Sequence, residues 1–385
     1  MSKKRIIELD ILRAAAFLFV VFQHTVGGFS YREGLSIENL LISKFIYIIA
    51  KPGVPIFLFL SAVTLIYTYG DKLNVRDFYI KKIKFLFMPF AIWSVYCVIS
   101  KGHVLDSSII WTIISGDAQY HLWYMAMIIR IYLYFPLIYM FNKFLKKQKN
   151  YVQLIFFICF VTGYFVIENF DISGLFTNLL FNHSTEMQKR FFDCSPLNYY
   201  IYFVLGQYFI NYYERFKKLI LENKHKIIML YVVLLLYEYY VSLEGHIEYP
   251  FSFIKSYSTI SDLYFCLSII SAYIAAYYIS HFHKYVSYVF KFIGKYSFPA
   301  YLIHITVVNE LTFKIPTTNQ VTCMIKFWVL TVMISIGICW ILSYLPFAKY
   351  ILGVRSHIDL EKIKNVMLDS LRYKGLGHHN TNFNK

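Results

Sequence analysis

The chain has 385 residues, 58% of them hydrophobic, 20% aromatic and 16% charged, with a mean hydropathy of +0.50 and a formal net charge of +16. A soluble domain runs closer to about 45–50% apolar and about 25% charged, so this composition excludes an ordinary water-soluble enzyme. In a lipid-dissolved chain the basic excess is contact with anionic headgroups, which argues against nucleic-acid binding.

Crossing a hydrocarbon core of about 30 Å takes roughly 20 residues of helix. Ten apolar blocks come near that length: Ile11 to Gly27, Phe45 to Tyr69, Phe85 to Ser100, Leu122 to Phe141, Tyr151 to Ile167, Leu197 to Tyr213, Ile227 to Ser242, Ser258 to Ser280, Phe292 to Asn309 and Ile325 to Leu345. The third and sixth are the shortest, and Pro89 lies inside the third. The expected fold is therefore all-α, a polytopic membrane bundle of about ten transmembrane helices.

The 38 Lys and Arg residues alternate in density between successive connections. With the N-terminus placed in the cytoplasm, about 27 fall on cytoplasmic segments and about 9 on outer ones, as the positive-inside rule requires. Arg13 and Arg130 are left within helices. An even number of crossings then puts both termini in the cytoplasm, and the expected location of this multi-pass protein is the plasma membrane.

The first block is not a secretory signal, because no small-residue cleavage site follows it and it carries Arg13 and His24. The cysteines show no CxxC spacing; four of the six fall inside apolar blocks and Cys323 lies two residues ahead of the tenth, leaving Cys194 as the one loop thiol. The longest outer connection, Glu168 to Pro196, is too short to be an independent domain. The expected organisation is one transmembrane domain over 1–347 and a basic cytoplasmic tail over 348–385. There is no fixed-period repeat and no pair of interrupted segments in corresponding halves, which weighs against a transporter. Neither Gly-x-Ser-x-Gly nor His-Glu-x-x-His occurs, so a serine-hydrolase mechanism has little support and no metal is expected.

An ionisable side chain inside a membrane costs about 2.5 to 3.5 kcal/mol, so each one marks a commitment. The first helix carries Asp10, Arg13 and His24. At about 100° per residue Arg13 lies about 60° behind Asp10, and His24 returns to within about 20° of Arg13. All three face one way, with His24 roughly 16 Å above Arg13. Taken singly, Arg13 could snorkel to headgroups and His24 could sit hydrogen-bonded between helices. The shared face favours a site, in which imidazole is the side chain suited to take a proton from a substrate hydroxyl.

This segment, with Leu9, Asp10, Leu12, Arg13, Ala16 and His24, resembles the opening helix of the membrane-bound acyltransferase 3 family. Further stretches are similar to the family's in the same order: Pro55 to Ser61, Phe78 to Pro89, His121-Leu122-Trp123-Tyr124 before Pro136, and Gly294 to Ser297 with Tyr301 to His304. The resemblance spans roughly residues 5 to 345. Two departures stand out. Ala62 replaces the usual Gly after the serine, and Lys81, Lys82 and Lys84 occupy a segment that is usually Arg-rich. Lysine is a point charge without the bidentate fork of arginine, which weakens phosphate contacts inferred there.

The resemblance implies an O-acyltransferase that moves an acyl group, usually acetyl from acetyl-CoA, from cytoplasmic acyl-CoA to a hydroxyl of an extracytoplasmic carbohydrate or cell-envelope polysaccharide. The absence of an appended domain also resembles the intercellular-adhesion polysaccharide subgroup, for which the transferred group would be succinyl. Catalysis would then fall to His24, Arg13 and Asp10, and donor binding to Arg13, Arg76, Lys81, Lys82 and Lys84. His121, Trp123, Arg130, His304 and Glu310 would stand on the substrate side. Arg130 has two readings, steering an anion or pairing with an acid such as Asp262, and Glu310 is a candidate to orient an imidazole. The partners implied are the lipid bilayer, acyl-CoA, a carbohydrate acceptor and proteins of envelope-polysaccharide synthesis. The competing function is a polysaccharide or lipid-linked sugar exporter; a non-catalytic assembly subunit is the third.

Overall fold

A computed structural model of the chain describes residues 5–26, 29, 32–102, 108–168, 172–182, 185–243, 258–315 and 318–356. Its helices in chain order begin with α1 (Ile7–Val26), α2 (Ile37–Ala50), α3 (Gly53–Tyr69), α4 (Val75–Lys82), α5 (Met88–Ser100) and α6 (Ile109–Ser115). The middle of the chain forms α7 (Trp123–Lys146), α8 (Asn150–Glu168), α9 (Ile172–Leu180), α10 (Glu186–Asp193), α11 (Tyr200–Asn211) and α12 (Tyr213–Glu222). The rest forms α13 (Lys224–Ser242), α14 (Ser258–Phe282), α15 (Lys284–Lys314), α16 (Val321–Leu342) and the short α17 (Ala348–Ile351). Among the described residues there is no strand, so the all-α reading holds.

Eight helical stretches among the described residues are long and apolar enough to cross a bilayer. α2 and α3 count as one of these, a 33-residue stretch from Ile37 to Tyr69 that breaks at Lys51-Pro52. The ninth sequence block lies within α15, whose 31 residues rise about 46 Å and exceed the hydrocarbon thickness. The sixth forms only the 12 residues of α11, about 18 Å, too short to cross alone.

α1 is surrounded by α2, α3, α14, α15 and α16, which cover most of its apolar surface. Leu12, Ala14, Ala16, Phe17 and Val21 are fully buried along it. Two close approaches set the position of this helix. A Cβ on Gly294 of α15 would lie 2.6 Å from the Asp10 carbonyl oxygen, and one on Gly53 of α3 would lie 2.9 Å from a Val20 methyl. Only glycine lets the backbones come so near, so these two positions fix where the faces of α3 and α15 meet α1.

Between α4 and α5 the chain forms a π turn over Ile83–Phe87, ahead of Pro89. The proline has no N–H to offer the Phe85 carbonyl four residues back, which favours such a widened turn. Residues 348–356, the start of the predicted tail, do not hang free. α17 packs on α5 and on the π turn, Leu352 is fully buried, and Trp93 Nε1 donates to the Ile351 carbonyl at 3.0 Å. The remainder of that tail, 357–385, lies outside the described residues.

Candidate active site

Three histidines from distant parts of the chain meet in the bundle. His24 comes from the last turn of α1, His304 from the middle of α15, and His121 from the turn that leads into α7. That turn depends on Gly116, whose φ is +75° and whose added Cβ would lie 2.7 Å from the Leu122 carbonyl oxygen. Ring centroids lie 5.2 Å apart for His24 and His304, 4.7 Å for His121 and His304, and 6.3 Å for His24 and His121. Among the described residues no three His, Cys, Asp or Glu side chains are grouped so as to hold a metal ion.

Backbone carbonyls orient two of the rings. His304 Nδ1 lies 2.6 Å from the Tyr301 carbonyl, and His121 Nε2 lies 3.4 Å from the Leu302 carbonyl. A carbonyl only accepts, so each of these nitrogens carries the hydrogen, and the tautomers follow from that. The opposite nitrogens, His304 Nε2 and His121 Nδ1, are buried without a partner. Each presents a lone pair, and a buried acceptor left in that state calls for a donor. His24 is half-buried, with the Tyr120 ring 5.1 Å from its own.

Tyr301 also lines a cavity of about 560 Å³ between the helices. Its wall includes Arg13 of α1, Lys81 and Lys82 of α4, Arg355 beyond α17, and Ser61 and Thr64 of α3. Phe57, Tyr124 and Tyr301 also line it, and their rings meet in edge-to-face or tilted contacts with centroids 5.8 to 6.3 Å apart. Tyr301 serves both spaces: its ring is 5.3 Å from His121 and 5.6 Å from His304, and its hydroxyl donates to the His121 carbonyl. The imidazoles thus stand one aromatic layer beyond a basic cavity.

Arg13 is held where it faces that cavity. Asp10, itself buried, approaches it at 3.6 Å, and Thr64 Oγ1 accepts from it at 3.4 Å. Asp10 also accepts from Arg5 at 2.6 Å, which raises the Arg5 pKa from its ordinary value. Lys82 lies over the Tyr132 ring, 4.4 Å from its centroid, with Phe78 at 5.5 Å. Arg13 and Lys82 are thus held by neighbours, whereas Lys81 and Arg355 are exposed.

A basic wall beside a polar cluster among buried helices suits the binding of an anion and chemistry away from bulk water. The sequence comparison agrees, because the family model for an acyltransferase domain, acyltransferase 3, matches residues 6–344. The chain belongs to the acyltransferase 3 family. It is a multi-pass membrane acyltransferase, and all three clustered histidines and Arg13 fall within the matched residues. No curated protein and no solved structure matches it.

Within this acyltransferase the remaining candidates separate. Asp10 precedes His24 by fourteen residues, about 21 Å along α1, so it acts on Arg13 and not on the imidazole. Arg76 and Lys84 are exposed and do not line the cavity that Lys81 and Lys82 enter. Glu310 is exposed and paired with Lys314 at 3.3 Å, one turn along the same helix, so it orients no imidazole. Trp123 stacks on Tyr199 at 5.3 Å, outside the histidine group.

Arg130 does not pair with Asp262. It donates to the carbonyls of Phe191, Cys194 (3.1 Å) and Ile114 (3.0 Å), and its guanidinium lies over the Phe191 ring at 3.8 Å. Asp262 instead accepts from Tyr164 at 3.2 Å and from Tyr202. Arg130 is thus a clamp on the end of α10 and the residues after it. Replacing it with Gln is expected to speed protease cleavage within 186–195 about tenfold, the scale of one lost charge-assisted bond, and an unchanged rate would refute the clamp. Cys194, beside this clamp, is buried, and burial pushes its thiol up, so the one loop thiol is a poor nucleophile.

Two contributors escaped the sequence reading. Tyr120 stands beside His24 only because the Gly116 turn folds back on α7, and Arg355 reaches the cavity only because 348–353 is docked. Neither position has a local pattern that marks it. Arg355 sits in a stretch whose basic composition looks like any solvated tail.

Proposed function

We propose that the protein carries an acyl group from cytoplasmic acyl-CoA to a hydroxyl of an extracytoplasmic carbohydrate, with acetyl the group the reading favours and succinyl the other candidate. One observation carries the proposal: the cavity lined by Arg13, Lys81 and Lys82 has Tyr301 in its wall, and that ring packs on His121 and His304, which in turn meet His24. A cationic wall suits the phosphates of coenzyme A, and an aromatic end suits its uncharged pantetheine arm. The positive-inside charge pattern puts Arg13 at the cytoplasmic side, so the donor arrives from there and His24 faces the acceptor.

In this reading His24 accepts the proton of the acceptor hydroxyl while the oxygen attacks the thioester carbonyl. The C–O bond forms, the C–S bond breaks, and the departing thiolate takes the proton back from the imidazolium. Each turnover leaves an ester, a free thiol and a neutral His24. The fixed N–H groups of His121 and His304 are committed to carbonyls, so their free lone pairs serve acceptor hydroxyls and not the oxyanion. His121 and His304 therefore orient the acceptor, and Asp10 holds Arg13 against the donor.

Mass spectrometry of envelope glycans from cells with and without the gene tests the reading. The expected difference is a mass increment of one acyl group per modified sugar, present only with the gene. Identical glycan masses with altered glycan export would replace the acyltransferase reading of this chain's physiological role with the exporter.

A further inference from the structure

The basic cavity is completed by a segment that lies beyond the family match, which ends at residue 344. After α16 the chain turns back on the bundle, burying Ala348 and Leu352 and tying the Ile351 carbonyl to Trp93. Gly353 then takes a φ of +66°, a conformation that costs other residues dearly. A Cβ there would collide with the Phe85 carbonyl oxygen and lie 2.6 Å from the Phe298 ring. That carbonyl is the one Pro89 leaves without its helical donor, so the strap and the π turn fit together at one point. Phe85 and Phe298 both line the cavity, and two residues after Gly353 an exposed Arg355 joins its wall.

Four cations therefore line the cavity, Arg13, Lys81, Lys82 and Arg355, and no carboxylate is among its lining residues. They are not equivalent. Arg13 is already engaged by Asp10 and Thr64, and the two lysines are point charges, one of them over aromatic rings. Arg355 has a planar fork of donors able to hold two phosphate oxygens at once. That fork is what the lysines of α4 lack.

We infer that Arg355 is a further donor-binding residue, which takes a phosphate group of the nucleotide thioester, and that the strap 348–353 positions it. The inference rests on the reading of this cavity as the donor site. Because Arg355 is exposed, its removal leaves no buried void, and the folded bundle keeps its packing.

The test uses the full-length protein in nanodiscs and equilibrium binding of two probes, coenzyme A and pantetheine, which lacks the nucleotide and its phosphates. Arg355→Ala is expected to weaken coenzyme A binding about tenfold, as for one charge-assisted contact, and to leave pantetheine binding unchanged. Arg355→Lys should recover only part of the loss, because the fork is absent. Unchanged coenzyme A affinity in Arg355→Ala, or equal weakening of both probes, overturns the inference. Arg13→Ala and Lys82→Ala separate it from the reading beneath it. If these two weaken coenzyme A binding and Arg355→Ala does not, the donor cavity stands and the strap inference falls. If none of the three does, the cavity is not the donor site.

Discussion

His24→Ala is expected to lower acyl transfer by about 10²- to 10⁴-fold, the range that general-base catalysis contributes, with membrane abundance unchanged. The expectation follows from position. His24 is the least buried of the three clustered imidazoles, and it lies on the helix that also carries Arg13. A half-buried ring at the end of α1 can lose its side chain without a fully enclosed void, so the loss should be one of chemistry rather than of folding. His24→Gln provides the finer arm: it keeps a hydrogen-bonding group of similar reach but has no basic nitrogen. Wild-type transfer in either variant, measured as acyl groups appearing on the glycan, would remove His24 from the mechanism. His304→Ala should differ in kind, because that residue is fully buried and tied to Tyr301, and its variant should lose stability along with activity.

The second large effect is expected at a residue with no side chain. Gly294→Ala should destabilise the bundle by about 1–3 kcal/mol, as overpacking of a close contact does. The new Cβ would stand 2.6 Å from the Asp10 carbonyl oxygen and 3.7 Å from the Ala14 nitrogen, and backbone atoms cannot rotate away. Helix propensity pulls the other way by up to about 1 kcal/mol, so the sign depends on the steric term winning. Gly337 of α16 supplies the control, since nothing lies within 4 Å of a Cβ built there. The expected result is a lower Tm for Gly294→Ala and an equal or higher one for Gly337→Ala, by thermal unfolding in detergent. Equal Tm for both variants would show that the α1–α15 contact yields. Since α1 carries His24 and α15 carries His304, the Gly294 variant should also lose transfer activity beyond its loss of folded protein.

The two effects concern one object, the seam between α1 and α15. Gly294 sets how near the helices run at the Asp10 end of that seam, and the distance between His24 and His304 is read at the other. Arg13 lies between, paired with Asp10 and lining the basic cavity. In the proposed reading, this is why a chain dissolved in lipid keeps an ion pair and an imidazole on one helix: the first helix would be the axis on which donor and acceptor sites are spaced.

Much of this was legible along the chain. Apolar blocks separated by basic connections identify a membrane bundle, because in hydrocarbon every backbone polar group must be satisfied within the helix. The stripe of Asp10, Arg13 and His24 was readable because helical periodicity is a local property, and charge in a membrane is rare enough to stand out. The family followed from the same helix and from short matches further on, and residues 6–344 belong to it.

What depends on residues far apart in sequence was not legible. Only folding brings His121 and His304 to His24 across separations of 97 and 280 residues, and only the carbonyls of Tyr301 and Leu302 select which nitrogens keep a free lone pair. The same holds for the exclusions. Arg130, expected to face a substrate or Asp262, spends its donors on three carbonyls, and Glu310 lies exposed beside Lys314. Arg355 is the clearest case, a residue in an unremarkable basic stretch placed in the wall of the basic cavity by a glycine at positive φ two positions before it. Periodicity and composition determined that this is a membrane bundle with a charged first helix, since both act within a few turns of the chain. Which side chains share a cavity was decided by helix packing, since that depends on contacts between faces that no single segment encodes.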